Sequence, residues 1–234
     1  MPDPSEDQRT VFQSPDEQAR TAAESAALVP GRTVPGFELI EELSRGGMGI
    51  VYKARQVALD RVVALKAINP HALNADGNRE LFAREAAATA SVSHPNVVTV
   101  YHTELGGPFP YLAMEYVNGI DLQRLVRRGG PLSVAEAATY ARQAAAGLHH
   151  AHERGVVHRD VKPANLMVAP SPLADPPPPL RNRVVKVLDL GLARVAATDR
   201  AASAADHHPR FVGTPDFASP EQAADARTAD ARSD

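Results

Sequence analysis

The alternation of apolar and polar positions between residues 37 and 117 predicts a β-sheet. Five segments carry the short apolar runs or the two-residue alternation of strands, at residues 37–43, 50–54, 61–68, 97–101 and 111–117. Between the third and the fourth of these, apolar side chains recur at helical spacing over residues 76–92. The pattern therefore predicts five strands accompanied by one helix.

The second half of the chain opens with a long helical pattern. Ser133 and Glu136 have the spacing of a capping box, in which each side chain bonds the backbone N–H of the other residue. Gly155 marks the end of the pattern. The stripe predicted to be buried consists of small and apolar residues, namely Val134, Ala137, Ala138, Ala141, Ala144, Ala145 and Leu148. A further strand is predicted at residues 184–188.

Three stretches lack regular periodicity. Residues 1–35 are rich in Pro, Ser, Glu, Asp, Gln and Ala, and we expect a disordered tail there. Residues 169–183 include four consecutive prolines, which predicts an extended, polyproline-like insertion. Residues 192–212 are polar and rich in alanine, and we expect a mobile loop.

Composition and charge argue against several classes of function. The formal net charge of −3 gives no broad cationic surface for nucleic acid, and aromatic residues make up only 5% of the chain. The lack of cysteine excludes disulfides and thiolate ligands and fits a reducing compartment, so we expect a cytoplasmic protein. The sequence contains no apolar run of about 18 residues, which predicts no membrane span.

The polar segment 158–165, His-Arg-Asp-Val-Lys-Pro-Ala-Asn, combines three kinds of chemistry. Asp160 can accept a proton, Lys162 can neutralise a phosphoryl oxygen, and Asn165 offers an oxygen to a hard cation such as Mg²⁺. A polar loop after a helix is the plainer alternative for any one of these residues.

A lysine on a predicted strand and a glycine-rich turn also suggest phosphate chemistry. Lys66 shares an apolar strand face, where it needs an anionic partner or ligand unless its side chain extends to water. The turn at residues 44–49 is rich in glycine, so its backbone amides can approach a phosphate closely. Glu85 lies among apolar neighbours on the predicted helix and would be stabilised by a cationic partner.

Taken in order, these segments resemble the protein kinase family. The resemblance rests on the glycine-rich turn 44–49, Val63-Ala64-Leu65-Lys66, segment 158–165, Asp189-Leu190-Gly191 and Ser219-Pro220-Glu221. Ser44, Leu190 and Ser219 stand where the family has Gly, Phe and Ala. Lys162 and Thr214 point to the Ser/Thr kinases, and the chain is similar to their bacterial branch.

The resemblance implies a bilobal α+β fold. An N-lobe with its hinge would occupy residues 36–117 and hold a five-stranded antiparallel sheet with one helix. A partial, mainly helical C-lobe would occupy residues 118–234, with an activation segment at 189–221. Because the family's C-lobe has further helices, we interpret the chain as truncated, which would leave Glu221 without its arginine partner.

The resemblance also implies roles for single residues. ATP and Mg²⁺ would be the cofactors, and Ser or Thr hydroxyls of proteins would be the acceptors, with self-association for autophosphorylation. Catalytic roles fall on Asp160, Lys162, Lys66 and Glu85, the last two as an ion pair. Contacts with ATP fall on Leu43, Gly46, Gly49, Val51, Ala64, Lys66, Glu115, Val117 and Met167. Mg²⁺ would be held by Asn165 and Asp189.

Two questions stay open on the sequence alone. Candidate phosphoacceptors of the activation segment are Thr198, Ser203 and Thr214. The alternative to an active kinase is a catalytically weak nucleotide-binding or interaction module, which the missing helices favour.

Overall fold

The computed structural model describes residues 34–46, 49–69, 73, 78–106, 109–170, 183–190, 214–225 and 228–234. Residues 1–33 of the predicted tail, residues 171–182 of the predicted proline-rich insertion and most of the activation segment, including Thr198 and Ser203, lie outside these ranges. The end of the predicted tail is described: Val34 is buried and bridges to Phe37. Ala169, Pro170 and Arg183, at the two ends of the predicted insertion, belong to strands. No helix within the ranges is both long and apolar enough to cross a bilayer.

Five antiparallel strands form the first sheet, in the order β1-β2-β3-β5-β4. Their bounds are Phe37–Gly46 for β1, Gly49–Gln56 for β2, Arg61–Ile68 for β3, Val100–Glu104 for β4 and Tyr111–Glu115 for β5. The predicted five-stranded antiparallel sheet is thus confirmed. Its central strand β3 is buried from Val63 to Ile68, as expected for a strand covered on both faces.

Gly49 closes the β1–β2 hairpin because no other residue fits. Its φ of +140° lies outside the range that side chains tolerate, and a Cβ atom there would lie 1.9 Å from the carbonyl oxygen of Ala67. The hairpin therefore stays paired as far as Gly46, opposite Gly49.

Helix α1 spans Asn78–Ala90 and packs on the first sheet. Its buried residues Phe82 and Ala86 belong to one apolar cluster with Ile68 and Leu112. The helix begins two residues later and ends two residues earlier than its periodicity predicted, a difference that is usual for helix ends.

The predicted fourth strand lies in the wrong place because residues 96–98 cross to the second half of the molecule. Val97 makes a parallel bridge to Val187, the N–H of Val98 donates to the oxygen of Val187 at 3.0 Å, and the N–H of Val187 donates to the oxygen of Asn96 at 2.8 Å. Regular pairing with β5 begins only at Val100. We refer to residues 96–98 and Val187 as the seam.

The second half combines helices with a three-stranded sheet of order β6-β7-β8. The strands are β6 at Ile120–Asp121, β7 at Leu166–Pro170 and β8 at Arg183–Val187. The helices are α2 at Leu122–Gly129, α3 at Val134–His152 and the short α4 at Pro220–Ala224. The strand predicted at 184–188 is β8, shifted by one residue.

Helix α3 starts as the sequence predicts, but it buries a different face. Ser133 and Glu136 form the expected capping box. The buried residues are Tyr140, Ala144, Gly147, Leu148 and Ala151, whereas Val134 is 87% exposed. The predicted alanine stripe was therefore wrong at most of its positions. The reason is Gln143, whose side chain faces β8, where it accepts from the N–H of Val185 at 2.9 Å and donates to the oxygen of Arg183 at 3.0 Å.

Candidate active site

A cavity of about 460 Å³ lies between the two sheets. Six residues predicted to contact ATP line it, namely Leu43, Val51, Ala64, Glu115, Val117 and Met167. The other three predicted residues, Gly46, Gly49 and Lys66, are not among its described lining residues, and the two glycines lie at the closed end of the β1–β2 hairpin. Most of the lining is apolar, as suits a flat heterocycle, and Asp189 contributes a carboxylate.

Lys66 and Asp189 form an ion pair next to this cavity. The ammonium nitrogen of Lys66 lies 2.8 Å from Oδ1 of Asp189, and Lys66 is only 6% exposed. Burial raises the pKa of the Asp189 carboxyl, but the Lys66 ammonium outweighs burial and holds that pKa below its ordinary value. Asp189 also has a φ of +52°, a backbone strain that the ion pair helps to hold.

Glu85 does not make the predicted ion pair with Lys66. Its Oε2 lies 4.0 Å from Nη1 of Arg159, and both of these side chains are largely buried. The predicted pairing of Lys66 with Glu85 is thus corrected: within the part of the chain that the structure describes, the ion pair of Lys66 is with Asp189. The reason is competition, because Lys66 and Arg159 are both largely buried cations that need a carboxylate, and each is next to a different one.

Asp160, Lys162 and Thr214 form a compact polar triangle. Oδ2 of Asp160 lies 2.7 Å from the ammonium of Lys162, and Oδ1 accepts from the hydroxyl of Thr214 at 3.0 Å. Lys162 also donates to the Thr214 hydroxyl at 2.7 Å. A carboxylate and an ammonium therefore hold one hydroxyl between them.

Asn165 completes the segment predicted to be catalytic. Its amide nitrogen donates to the backbone oxygen of Asp160 at 2.8 Å and to Oδ2 of Asp160 at 3.1 Å. Because both bonds use the nitrogen, the amide oxygen of Asn165 is left as a possible metal ligand. The N–H of Leu188 donates to the backbone oxygen of Asn165 at 2.9 Å, which brings this residue next to the strand end that carries Asp189.

The buried side chain of His158 holds segment 158–165 in place. It is 1% exposed, and its Nδ1 accepts from the N–H of Asp160 at 3.2 Å. Its Nε2 bonds the backbone oxygen of Leu188 at 2.8 Å, so that the ring is protonated on Nε2. His158 thereby ties Asp160 to the residue that precedes Asp189.

Asp234 is a site residue that the sequence reasoning missed. Its fully buried carboxylate accepts from the N–H of His158 at 2.6 Å and from the N–H of Arg159 at 2.7 Å. It also lies 2.8 Å from Nε2 of His152. Asp234 and His158 are 76 positions apart, so no local spacing could have indicated the contact. Arg159 has a φ of +66°, and the two bonds to Asp234 hold this strained turn beside Asp160.

Glu221 is held by a serine hydroxyl in this chain, and the absence of its arginine partner stays a prediction. The hydroxyl of Ser233 donates to Oε1 of Glu221 at 2.5 Å, and this bond lowers the pKa of the Glu221 carboxyl. The next residue, Gln222, is buried and donates to the backbone oxygen of Arg159 at 2.8 Å. The segment that follows Thr214 thus packs directly on the strained turn.

The carboxylate of Glu115, which lines the cavity, is bonded to neighbouring protein groups. Its carboxylate oxygens lie 2.7 and 2.8 Å from the ammonium of Lys186 on β8, and Oε2 also accepts from the N–H of Thr99 at 3.3 Å. Near this ion pair, burial lowers the pKa of the His94 imidazole, and the neighbouring charges of His150 and Lys186 lower it further.

Comparisons with known proteins agree with this geometry. Serine/threonine-protein kinase PknB of Mycolicibacterium smegmatis is 37% identical over 202 residues, which are 85% of this chain and 30% of PknB. Serine/threonine-protein kinase pkn3 of Myxococcus xanthus is 38% identical over 199 residues, which are 82% of this chain and 34% of pkn3. The chain thus spans about a third of the length of these curated relatives.

Solved structures show the same fold. The kinase domain of Mycobacterium tuberculosis PknI, in a double-mutant form, superposes with a TM-score of 0.63 at 26% identity, covering 88% of this chain and 73% of that one. The predicted kinase-like α+β fold is thereby confirmed. A profile of the protein kinase domain matches residues 37–234. Because this match covers most of its length, the chain belongs to the protein kinase family.

Proposed function

We propose that this domain transfers the γ-phosphoryl group of ATP to Ser or Thr hydroxyls of proteins. One observation carries the proposal: Asp160 and Lys162 hold the hydroxyl of Thr214 between a carboxylate and an ammonium. A substrate hydroxyl in the same place would donate to Asp160 and lie beside a cation that can neutralise the transferred group. The family membership and the curated Ser/Thr kinase relatives support the same reading.

The apolar cavity would hold the adenine, and Lys66 would meet the phosphates from the buried end. The new bond forms between the substrate oxygen and the γ-phosphorus, while the bond from that phosphorus to the bridging oxygen of ADP breaks. Asp160 orients the hydroxyl and takes its proton, and Lys162 offsets charge on the phosphoryl oxygens. Most of the rate enhancement then comes from positioning and charge neutralisation.

The residues present fit a magnesium ion. Asn165 has a free amide oxygen, and Oδ2 of Asp189 is left over when Oδ1 bonds Lys66. Mg²⁺ is commonly bound by one or two protein oxygens together with the phosphates of a nucleotide, and Asn165 and Asp189 would supply those oxygens here. When bound, Mg²⁺ would neutralise the phosphate charge that develops during transfer.

The test is incorporation of labelled phosphate into the chain and into a generic protein substrate, with Mg·ATP. We expect Asp160→Asn to abolish incorporation. Asp216→Asn is the matched control, because Asp216 is exposed on the turn Pro215–Phe217, two residues after Thr214. Incorporation that persists in Asp160→Asn would contradict the proposal.

A second candidate is a nucleotide-binding module with little turnover. The pairing of Glu85 with Arg159 favours it, because the predicted support for Lys66 is then engaged elsewhere. Tight binding of Mg·ATP without phosphate incorporation would support the nucleotide-binding module over the kinase. Self-association stays a prediction, and phosphorylation of the Asp160→Asn chain by the unmodified chain would reveal it. A cytoplasmic location also stays a prediction, supported by the need for ATP and the lack of cysteine.

A further inference from the structure

The charged side chains that line the cavity are nearly all paired. Asp189 pairs with Lys66 at 2.8 Å, Glu115 with Lys186 at 2.7 Å, and Asp121 with Nε of Arg124 at 3.3 Å. Arg128 is the remaining charged lining residue. Among the described residues it has no ion pair and no side-chain hydrogen bond, so the cavity has one uncompensated positive charge.

Arg128 lies at the open rim of the cavity, whereas Lys66 lies at its buried end. It is exposed and belongs to the last turn of helix α2, whose first turn is capped by Asp121. The helix packs on the turn Pro163–Asn165, and Ala164 of that turn also lines the cavity. Arg128 and Ala164 therefore line the same cavity, and Ala164 lies between Lys162 and Asn165 in segment 158–165.

A helix C-terminus favours basic residues in any case, and this explains part of the pattern. Arg127 and Arg128 both occupy the last turn of α2 and both are exposed. Only Arg128 of these two lines the cavity. The helix dipole explains why two arginines lie in the last turn, but it does not explain why one of them lines the cavity. Arg127 therefore serves as the control for Arg128.

We propose that Arg128 recognises a carboxylate of the protein substrate, an Asp or Glu a few residues from the Ser or Thr that accepts phosphate. The proposal rests on the proposed function. The phosphates of the nucleotide must lie near Lys66 and Asp189, so they do not occupy the rim. A polypeptide that brings a hydroxyl to Asp160 crosses the rim, and each of its residues spans about 3.3–3.6 Å when extended. A guanidinium matches a carboxylate with two parallel hydrogen bonds.

The experiment uses matched peptides with one acceptor Thr and one Glu, placed at each position from four before to four after the acceptor. A second set has Gln in place of that Glu, and a third set has Lys. For the unmodified chain we expect kcat/KM to be about five- to tenfold higher for at least one Glu peptide than for its Gln partner. Arg128→Met should abolish that preference, Arg128→Glu should reverse it toward Lys peptides, and Arg127→Met should keep it. The KM for ATP should not change.

Peptide affinity in the presence of Mg·ADP provides a second readout that needs no turnover. If the chain fails to phosphorylate any peptide, the proposed function fails, but a Glu-over-Gln difference in affinity that depends on Arg128 would still support the carboxylate contact. Equal affinity and equal kcat/KM for all Glu and Gln pairs would overturn the inference. A rise in the KM for ATP in Arg128→Met, with the peptide preference intact, would also overturn it and assign the guanidinium to the nucleotide.

Discussion

Replacing Asp234 by alanine should damage the site through two backbone groups. The carboxylate accepts from the N–H groups of His158 and Arg159, and the side chain is fully buried. If the turn keeps its shape, two donors lose their acceptor, at about 1–3 kcal/mol each, so that about 2–6 kcal/mol of unfolding free energy is lost. If the turn relaxes instead, the strain at Arg159 is released, which recovers about 1–3 kcal/mol but moves Asp160.

Both outcomes can be measured on one variant. Urea unfolding followed by circular dichroism gives the loss of stability, and phosphate incorporation gives the loss of activity. We expect Asp234→Ala to be destabilised and to lose most of its activity even at temperatures where it is fully folded. Asp234→Asn keeps the shape of the side chain but has only one acceptor oxygen. Its stability and activity should therefore fall between those of the unmodified chain and those of Asp234→Ala.

Asp230→Ala is the control in the same segment. Asp230 is 52% exposed and its ion pair is with Arg232, which is 89% exposed. The side chain of Asp230 also accepts from the N–H of Arg232 at 2.9 Å and caps the turn Ala231–Ser233, so we expect a modest loss of stability from the missing cap and little change in activity. The reasoning would be refuted if Asp234→Ala unfolded at the same urea concentration as Asp230→Ala and kept its activity.

Three further predictions follow from packing, charge and protonation. Gly147→Ala should cost about 1–3 kcal/mol in urea unfolding, because its Cβ would lie 2.8 Å from a backbone oxygen, whereas Gly129→Ala meets open space and should not destabilise. Lys186→Glu should raise the KM for ATP several-fold, and adding Glu115→Lys should restore it; no rescue would contradict a role for the ion pair. The unfolded chain binds a proton at His94 near the ordinary pKa of 6.5, whereas the folded chain binds it only at lower pH. The unfolding free energy should therefore fall as the pH drops below about 6.5, and His94→Asn should make this pH dependence weaker.

Features set by local spacing were predicted well. The capping box of α3 depends on Ser133 and Glu136, three residues apart, and it forms as expected. The glycine-rich hairpin follows from Gly49, whose conformation excludes a side chain. Such features depend on few neighbours, so the sequence alone contains most of the relevant physics.

Features set by distant partners were predicted poorly. The partner of Lys66 is decided by which of several carboxylates lies nearest in the folded chain, and Asp189 is 123 positions away. The buried face of α3 depends on Gln143. Hydropathy assigns this polar residue to the surface, but its side chain makes two hydrogen bonds with the backbone of β8. Asp234 received no role because two of its three partners are backbone N–H groups, which leave no mark in a sequence, and the third, His152, is 82 positions away.

The seam between the two halves determines how the cleft can open. Val187 is tied through both of its backbone groups to residues 96–98, and the next residue, Leu188, bonds Asn165 on the opposite side. The strand end that carries Asp189 is therefore hydrogen-bonded to both halves of the molecule. If the two halves move apart, we expect Asp189, two residues from Val187, to move less than the β1–β2 hairpin, which is far from these bonds. A nucleotide would then enter beneath the hairpin, past a carboxylate whose position changes little.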